Sequence, residues 1–291
     1  MTRNPVFQLQ KMSYGIQFVF FLFLFFLGNS LLLLLTLIGK NFSEIGNLAL
    51  MMTGTQLLSF LLPAVLFILL IPREPIPFLH FKAIKKTLDL SWIAVLAVAL
   101  ILFVSTTSQF IQYLPLGNMA DQLQGQRESM EKLALKMDGI GDLVIRLVMM
   151  AVLPAIGEEI FFRGVLQRFV HTFLKNAIGA AVLTSIIFAL FHGSIYNIVP
   201  LIIAGTVLGL VYYYSGNIWY NIILHFIVNG SQVAIIYFAG ADKDISKSGL
   251  PLSIAIPGFI LSGLIVWIMI NKFKRENISL GQNWIMPRSD G

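Results

Sequence analysis

Apolar runs of about 20 residues recur along the chain, broken by short polar segments, and that rhythm decides the fold class before any motif is read. A helix needs about 20 predominantly apolar residues to cross the ~30 Å hydrocarbon layer of a bilayer. Eight stretches qualify: roughly Tyr14–Ile38, Asn47–Ile71, Leu90–Leu114, Leu143–Phe173, Ala177–Gly193, Ile198–Ser215, Ile218–Ala239 and Leu250–Ile270. The expectation is an all-α, polytopic membrane protein with about eight transmembrane helices. The first run is about twice the length of a signal-peptide apolar region and is followed by no small-residue cleavage site, so it is expected to stay as a span.

The pattern divides the chain into four parts. These are a polar N-terminal tail (1–13), the N-terminal spans (14–142), a core of four closely spaced spans (143–240), and a last span with a polar tail (241–291). The tail from Asn271 onward is expected to be poorly ordered. Within 116–142, Met119, Leu123, Met130, Leu133 and Met137 recur at roughly helical spacing among polar residues. That spacing predicts an amphipathic interfacial helix, either covering a site or serving as a connector packed on the helix ends. Gly205 and Gly209 form a GxxxG in the sixth span, where helix packing is the expected reading. Pro154 removes a backbone donor one turn before Glu158 and predicts a kink there.

Composition strengthens the membrane reading. Apolar residues make up 57% of the 291 and charged residues 12%, against about 45–50% and about 25% in soluble domains. The net charge of +6 does not point to nucleic acid, because the basic residues cluster between spans, where they set topology and meet lipid headgroups. With a cytoplasmic N-terminus and eight spans, 13 Lys and Arg fall on the cytoplasmic side and 7 opposite, so both termini are expected to be cytoplasmic. Cysteine is absent, which removes thiol nucleophiles, disulfides and cysteine metal sites.

Against this background Leu153–His171 stands out, because Glu158, Glu159 and Arg163 lie inside an apolar run. A charge near the centre of a spanning helix costs at least about 2.5–3.5 kcal/mol on insertion scales, so such residues need partners or a wet cavity. Polar pairs four residues apart recur on three helices: Glu159 with Arg163, Phe188 with His192, and His225 with Asn229. Each pair shares one helix face. Glu158 and His192 each lie 17 residues from Lys175, in the turn between the fourth and fifth spans. In an antiparallel hairpin they therefore sit at matching depth. Counting through the next two spans puts His225 about eight residues, or ~12 Å, deeper, a gap that tilt or a shorter sixth span must close. His80 and His171 fall in loop or helix-end contexts and are not expected to do chemistry.

The ordered set EExxxR (Glu158, Glu159, Arg163), FxxxH (Phe188, His192) and HxxxN (His225, Asn229) resembles the signatures of the CAAX prenyl protease and abortive-infection family of intramembrane endopeptidases. The resemblance covers about 100 of the 291 residues, and the N-terminal spans carry no matching signature. It implies eight helices around a polar intramembrane cavity and hydrolysis of a peptide bond in a membrane-associated protein or peptide. It also implies Glu158 as general base polarising a water with help from His192, and His225 and Asn229 as donors to the oxyanion. Glu159 and Arg163 become an architectural pair, with Arg163 also able to hold a carboxylate, and Phe188 a supporting residue. The implied setting is the cell membrane, of a prokaryote by the same resemblance. Eukaryotic relatives trim prenylated tails, whereas prokaryotic members are associated with peptide maturation and self-immunity.

Several alternatives stay open at this point. Glu158, His192 and His225 are also the carboxylate and imidazole ligands of a catalytic zinc site. The resemblance favours glutamate-activated water, and no metal ligand or organic cofactor is assigned. A proton-coupled transporter would also use Glu and His within spans, although no matching interrupted helices mark two inverted halves. A non-catalytic peptide-binding immunity protein could use the same cavity. There is no HExxH or GxSxG. The string Gly139-Ile140-Gly141-Asp142 looks like a presenilin-type aspartate signature, but Asp142 sits where an N-cap is expected. The charge count puts His192 on the non-cytoplasmic side, whereas a CAAX-type protease should open to the cytoplasm. Membrane lipids are the expected surroundings, and the sequence does not fix the oligomeric state.

Overall fold

The computed structural model describes residues 11–38, 43–71, 75–82, 84, 87–239 and 250–276. The expected terminal tails fall largely outside this set. Every regular element among the described residues is helical. Seven helices are long and apolar enough to cross a membrane, which makes this an integral, multi-pass membrane protein.

In chain order, α1 is Tyr14–Ile38. The second span runs from α2 (Glu44–Gly54) through a π-helical stretch, Thr55–Leu61, into α3 (Leu62–Leu70). After the short α4 (Pro75–Leu79) come α5 (Thr87–Gln112) and the surface helix α6 (Asn118–Ala134). The fourth span is a composite. It comprises α7 (Ile140–Leu147), a π stretch Val148–Val152, α8 (Leu153–Glu158), a second π stretch Glu159–Leu166, and α9 (Gln167–Leu174). The chain then forms α10 (Ala177–Phe191), α11 (Ile198–Ser215), α12 (Ile218–Ala239) and α13 (Leu252–Glu276).

One expected span is corrected. α10 has 15 residues, about 22 Å at 1.5 Å per residue, which is short of the ~30 Å layer. Gly193 explains the early stop, since its φ of +61° ends the helix in the left-handed conformation that glycine adopts without a side-chain penalty. The helix therefore ends at His192, short of the length that crosses the layer.

Prolines account for two of the three π stretches. Pro63 and Pro154 each sit at the start of a regular segment that directly follows a π stretch. A proline lacks the N–H that would bond the carbonyl four residues earlier, and π-bulges are a common local adjustment. At Pro154 the freed carbonyl is Met150 O, which instead accepts from Asn229 Nδ2 at 3.2 Å. The kink expected from the sequence is thus a change of helical register with a side-chain donor filling in.

Two apolar cores flank the fourth span. One is aromatic: Phe21, Phe60, Phe67, Phe161, Phe162 and Phe169 bring α1 and the second span against the fourth. The other joins α5, α11, α12 and α13 through residues such as Leu96, Leu100, Val211, Leu224 and Val266. Glycines permit the closest helix approaches. An added Cβ at Gly209 would lie 2.9 Å from Ala181 Cβ, and one at Gly205 would lie 2.8 Å from Ser185 Oγ, so the GxxxG does seat α11 on α10.

The amphipathic helix expected within 116–142 is present as α6. Met119, Leu123 and Met130 are exposed, whereas the packed face carries Ala120, Gln124, Arg127 and Ala134. Polar contacts decide the orientation. Tyr196 Oη donates to Asp121 at 2.5 Å, Ser194 Oγ to Gln124 at 3.4 Å, and Arg127 to His192 O at 2.6 Å. All three tie α6 to the turn that follows the short α10. The bond to Asp121 raises the Tyr196 pKa above its ordinary value. Asp142 is not an N-cap: Gly139 holds that position, and Asp142 reaches back from the first turn to accept from Asp138 N at 3.0 Å.

Gly28→Ala should be severely destabilising, because its Cβ would fall 1.9 Å from the backbone oxygen of Leu58; overpacking of this kind typically costs about 1–3 kcal/mol or more. Gly258→Ala, with no neighbour within 4 Å, should be neutral or slightly stabilising. Thermal unfolding of the two variants in one detergent compares them.

Candidate active site

Glu159 is the most deeply committed charge in the protein. It is fully buried, as is Arg163, and the two pair at 3.0 Å one helical turn apart. The same oxygen, Oε1, also accepts from His225 Nδ1 at 2.8 Å, and Oε2 accepts from Asn221 Nδ2 at 3.2 Å. Three donors on one carboxylate offset much of the dehydration that burying an ion entails. Arg163 completes its shell by donating Nη2 to Gly205 O at 3.1 Å and by lying 5.0 Å from the centre of the Phe188 ring. One turn on, Gln167 donates to Gly209 O at 3.0 Å. The GxxxG that lets α11 approach also exposes the carbonyls that these side chains use. Arg163 is enclosed and does not line the cavity, and the carboxylate it holds is that of Glu159.

Glu158, the neighbouring residue, is placed very differently. It borders a cavity of about 500 Å³ whose wall also includes Phe188, His192, His225 and Asn229. Its Oε1 accepts from Gln56 Nε2 at 2.7 Å, and its Oε2 has no hydrogen-bond partner among the described residues. Oε2 lies 3.9 Å from His225 Nε2. Since Glu159 holds Nδ1 of that ring, Nε2 is the nitrogen presented to Glu158 and the cavity. Asn229 Nδ2 contacts the same Nε2 at 3.1 Å while also capping Met150 O.

His192 is placed less directly than equal depth implies. Its Nδ1 is hydrogen-bonded to Phe188 O at 2.8 Å and its ring lies 4.4 Å from that of Phe188. It shares both cavity walls with Glu158, but the imidazole paired with Glu158 is that of His225. The expected depth gap at His225 closes because its ring lies 6.5 Å from that of Phe188, one turn before His192. Phe188 packs between Arg163 and both histidines. Among the described residues no three His, Asp or Glu side chains form a metal-binding group. Glu158, His192 and His225 therefore share a cavity wall without converging on one point, and the zinc arrangement does not fit them.

His80 and His171 lie away from the cavity. Burial, reinforced by Arg168 and Lys82, lowers the His80 pKa to about 4, so it is neutral near pH 7. Its backbone oxygen accepts from Ile218 N at 3.4 Å. Nearby, Arg168 donates to Phe78 O and stacks on the Phe78 ring, docking α4 onto the end of the fourth span.

Sequence reasoning missed Gln56, Asn221, Gln167 and Arg127. Asn221 and Gln167 extend ladders already read, as Asn221-His225-Asn229 and Glu159-Arg163-Gln167. Continuing the four-residue spacing by one turn would have found both. Gln56 had only a weaker signal, a polar cluster of Thr53, Thr55, Gln56 and Ser59 within an apolar span.

These features define an integral membrane protein with a carboxylate and imidazole site buried among its helices. Residues 140–231, just under a third of the chain, match the Rce1-like family model, described as type II CAAX prenyl endopeptidase Rce1-like. The family resemblance read from the three signatures is shown over the segment that holds them. No curated protein and no solved structure matches the chain.

Arg163→Met should cost about 3–5 kcal/mol, the range for leaving one member of a buried pair uncompensated. Adding Glu159→Gln should recover part of the loss, so the double variant loses less than the two single losses combined. A double-mutant cycle on unfolding in detergent measures this coupling.

Proposed function

We propose that the protein is an intramembrane endopeptidase that hydrolyses a peptide bond of a membrane-associated protein or peptide, using water activated by Glu158. One observation carries this reading: the buried Glu158 Oε2, without a hydrogen-bond partner among the described residues, borders a cavity of about 500 Å³ beside His225 Nε2. A carboxylate oxygen with an unused lone pair is positioned to take a proton from water. The family match over residues 140–231 supports the same reading.

The residues divide the reaction as follows. Glu158 accepts a proton from the attacking water, and the hydroxide oxygen adds to the scissile carbonyl carbon. His225 is oriented through Nδ1 by Glu159, and in the doubly protonated ring its Nε2 donates to the developing oxyanion, to which the Asn229 amide turns from Nε2. Donors aimed at such a position are worth about 2.7–4 kcal/mol each at the transition state. Glu158 then returns its proton to the leaving amine. His192, on the same wall, helps to hold the water.

The cavity accepts its substrate from the α6 side, where Arg127, Met130 and Glu131 contribute to its wall. With a cytoplasmic N-terminus and three spans before α6, that side is the outer one. A Lys175→Cys variant, in a chain that has no other cysteine, should then react with a membrane-impermeant maleimide from the cytoplasmic side of oriented vesicles. Labelling from the outside reverses the topology and makes the cavity open inward.

Incubating detergent-purified protein with a membrane proteome and mapping new chain ends by mass spectrometry tests the reaction itself. Glu158→Gln should lower cleavage by about 10²–10⁴-fold, the usual contribution of a general base. Equal cleavage by the two proteins removes Glu158 from the chemistry, and the absence of any new ends with the wild-type protein favours a binding role for the cavity.

A further inference from the structure

Two cavities meet at Glu158. Besides the large one, a cavity of about 190 Å³ lies on the side of the N-terminal spans, with Asn29, Thr55, Gln56 and Ser59 as polar residues in its wall. Glu158, His192, Thr55 and Gln56 border both cavities. Gln56 thus stands on the partition, and it makes the one hydrogen bond that Glu158 receives among the described residues.

The placement of Gln56 is built into the backbone. It lies in the π stretch Thr55–Leu61 that precedes Pro63. Opposite it is Gly157, where an added Cβ would lie 3.1 Å from Gln56 O. The missing side chain at Gly157 lets the second span come close enough for the amide to reach the carboxylate. Gln56 Oε1 and Glu158 Oε2 are both buried acceptors without a donor among the described residues. A water molecule, with two hydrogens to donate, suits a pair of unfilled acceptors beside a polar cavity.

We propose that Gln56 is a positioning residue for Glu158: its amide pins Oε1 from the N-terminal spans and turns Oε2, the proton-accepting oxygen, toward the water and His225. Gln56 lies outside the segment that matches the family model, so the N-terminal half of the chain contributes to the working geometry of the site. An amide suits the task because it orients a carboxylate without setting a full positive charge against the base. The inference rests on the endopeptidase reading and deepens it.

Gln56→Met, nearly the same shape but without a donor, tests it in two ways. The carboxylate infrared band of Glu158, isolated as the difference between wild type and Glu158→Gln, needs no substrate and should shift to higher frequency in the Gln56→Met background. On the peptide that the wild-type protein cleaves fastest in the proteome experiment, kcat should fall about 10- to 100-fold, as for a misplacement of about 1 Å, with KM within about twofold. Ser59→Ala, which alters the same cavity wall but removes a bond to Asn29, should leave both readouts unchanged. Near-wild-type unfolding of Gln56→Met in detergent separates this outcome from misfolding, and Gln56→Glu, which keeps the shape but loses the donor, should reproduce the kcat loss. An unmoved band, or wild-type kcat in Gln56→Met while Glu158→Gln is inactive, overturns the proposal alone. Full activity in Glu158→Gln instead removes Glu158 from the chemistry, and no cleavage by the wild-type protein overturns the endopeptidase reading.

Discussion

The buried carboxylate of Glu159 is the constraint on which the rest of the structure depends. An ion with no exposure to solvent is tolerated only when its partners are close and well directed, and here three side chains supply them from two elements: Arg163 on its own span, and His225 and Asn221 on α12. Arg163 in turn needs acceptors and finds Gly205 O on α11. That carbonyl is reachable because α11 lies tight on α10 across its glycines. The helix packing and the polar network are therefore one solution to one problem, and neither half would stand without the other.

Two adjacent glutamates can have opposite fates because neighbouring residues on a helix project about 100° apart. Glu159 faces inward and is saturated with donors. Glu158 faces the cavity and holds a single one. The local helix is unusual at this point, since regular α-helix ends at Glu158 and the π stretch begins at Glu159. Pro154 upstream frees Met150 O, and Asn229 takes it up. This fixes the side chain that also contacts His225. A backbone irregularity and a site residue are thus coupled through one hydrogen bond.

The surface helix α6 shows how polar contacts orient an interfacial helix. Bonds to Asp121 and from Arg127, and one accepted by Gln124, turn one face toward the turn after α10. The bond from Arg127 satisfies the carbonyl of His192, where α10 ends, and the other two join side chains. Met119 and Leu123 stay exposed, as the apolar face of an interfacial helix does where it meets lipid.

By itself the sequence determined the fold class, the bounds of most spans, the membership of Glu158, Glu159, Arg163, Phe188, His192, His225 and Asn229 in one constellation, and the packing role of the GxxxG. These were legible because the apolar period and the four-residue polar spacing are local properties of a helix. Tertiary structure alone decided which imidazole Glu158 meets, that Glu159 orients His225, that α10 stops short, that α6 packs by its polar face, and that Gln56 reaches across from a span without any recognised motif. Each of those outcomes depends on distances between helices far apart in the chain. Helix tilt, π stretches and glycine contacts set those distances, and no periodicity within a single segment encodes them.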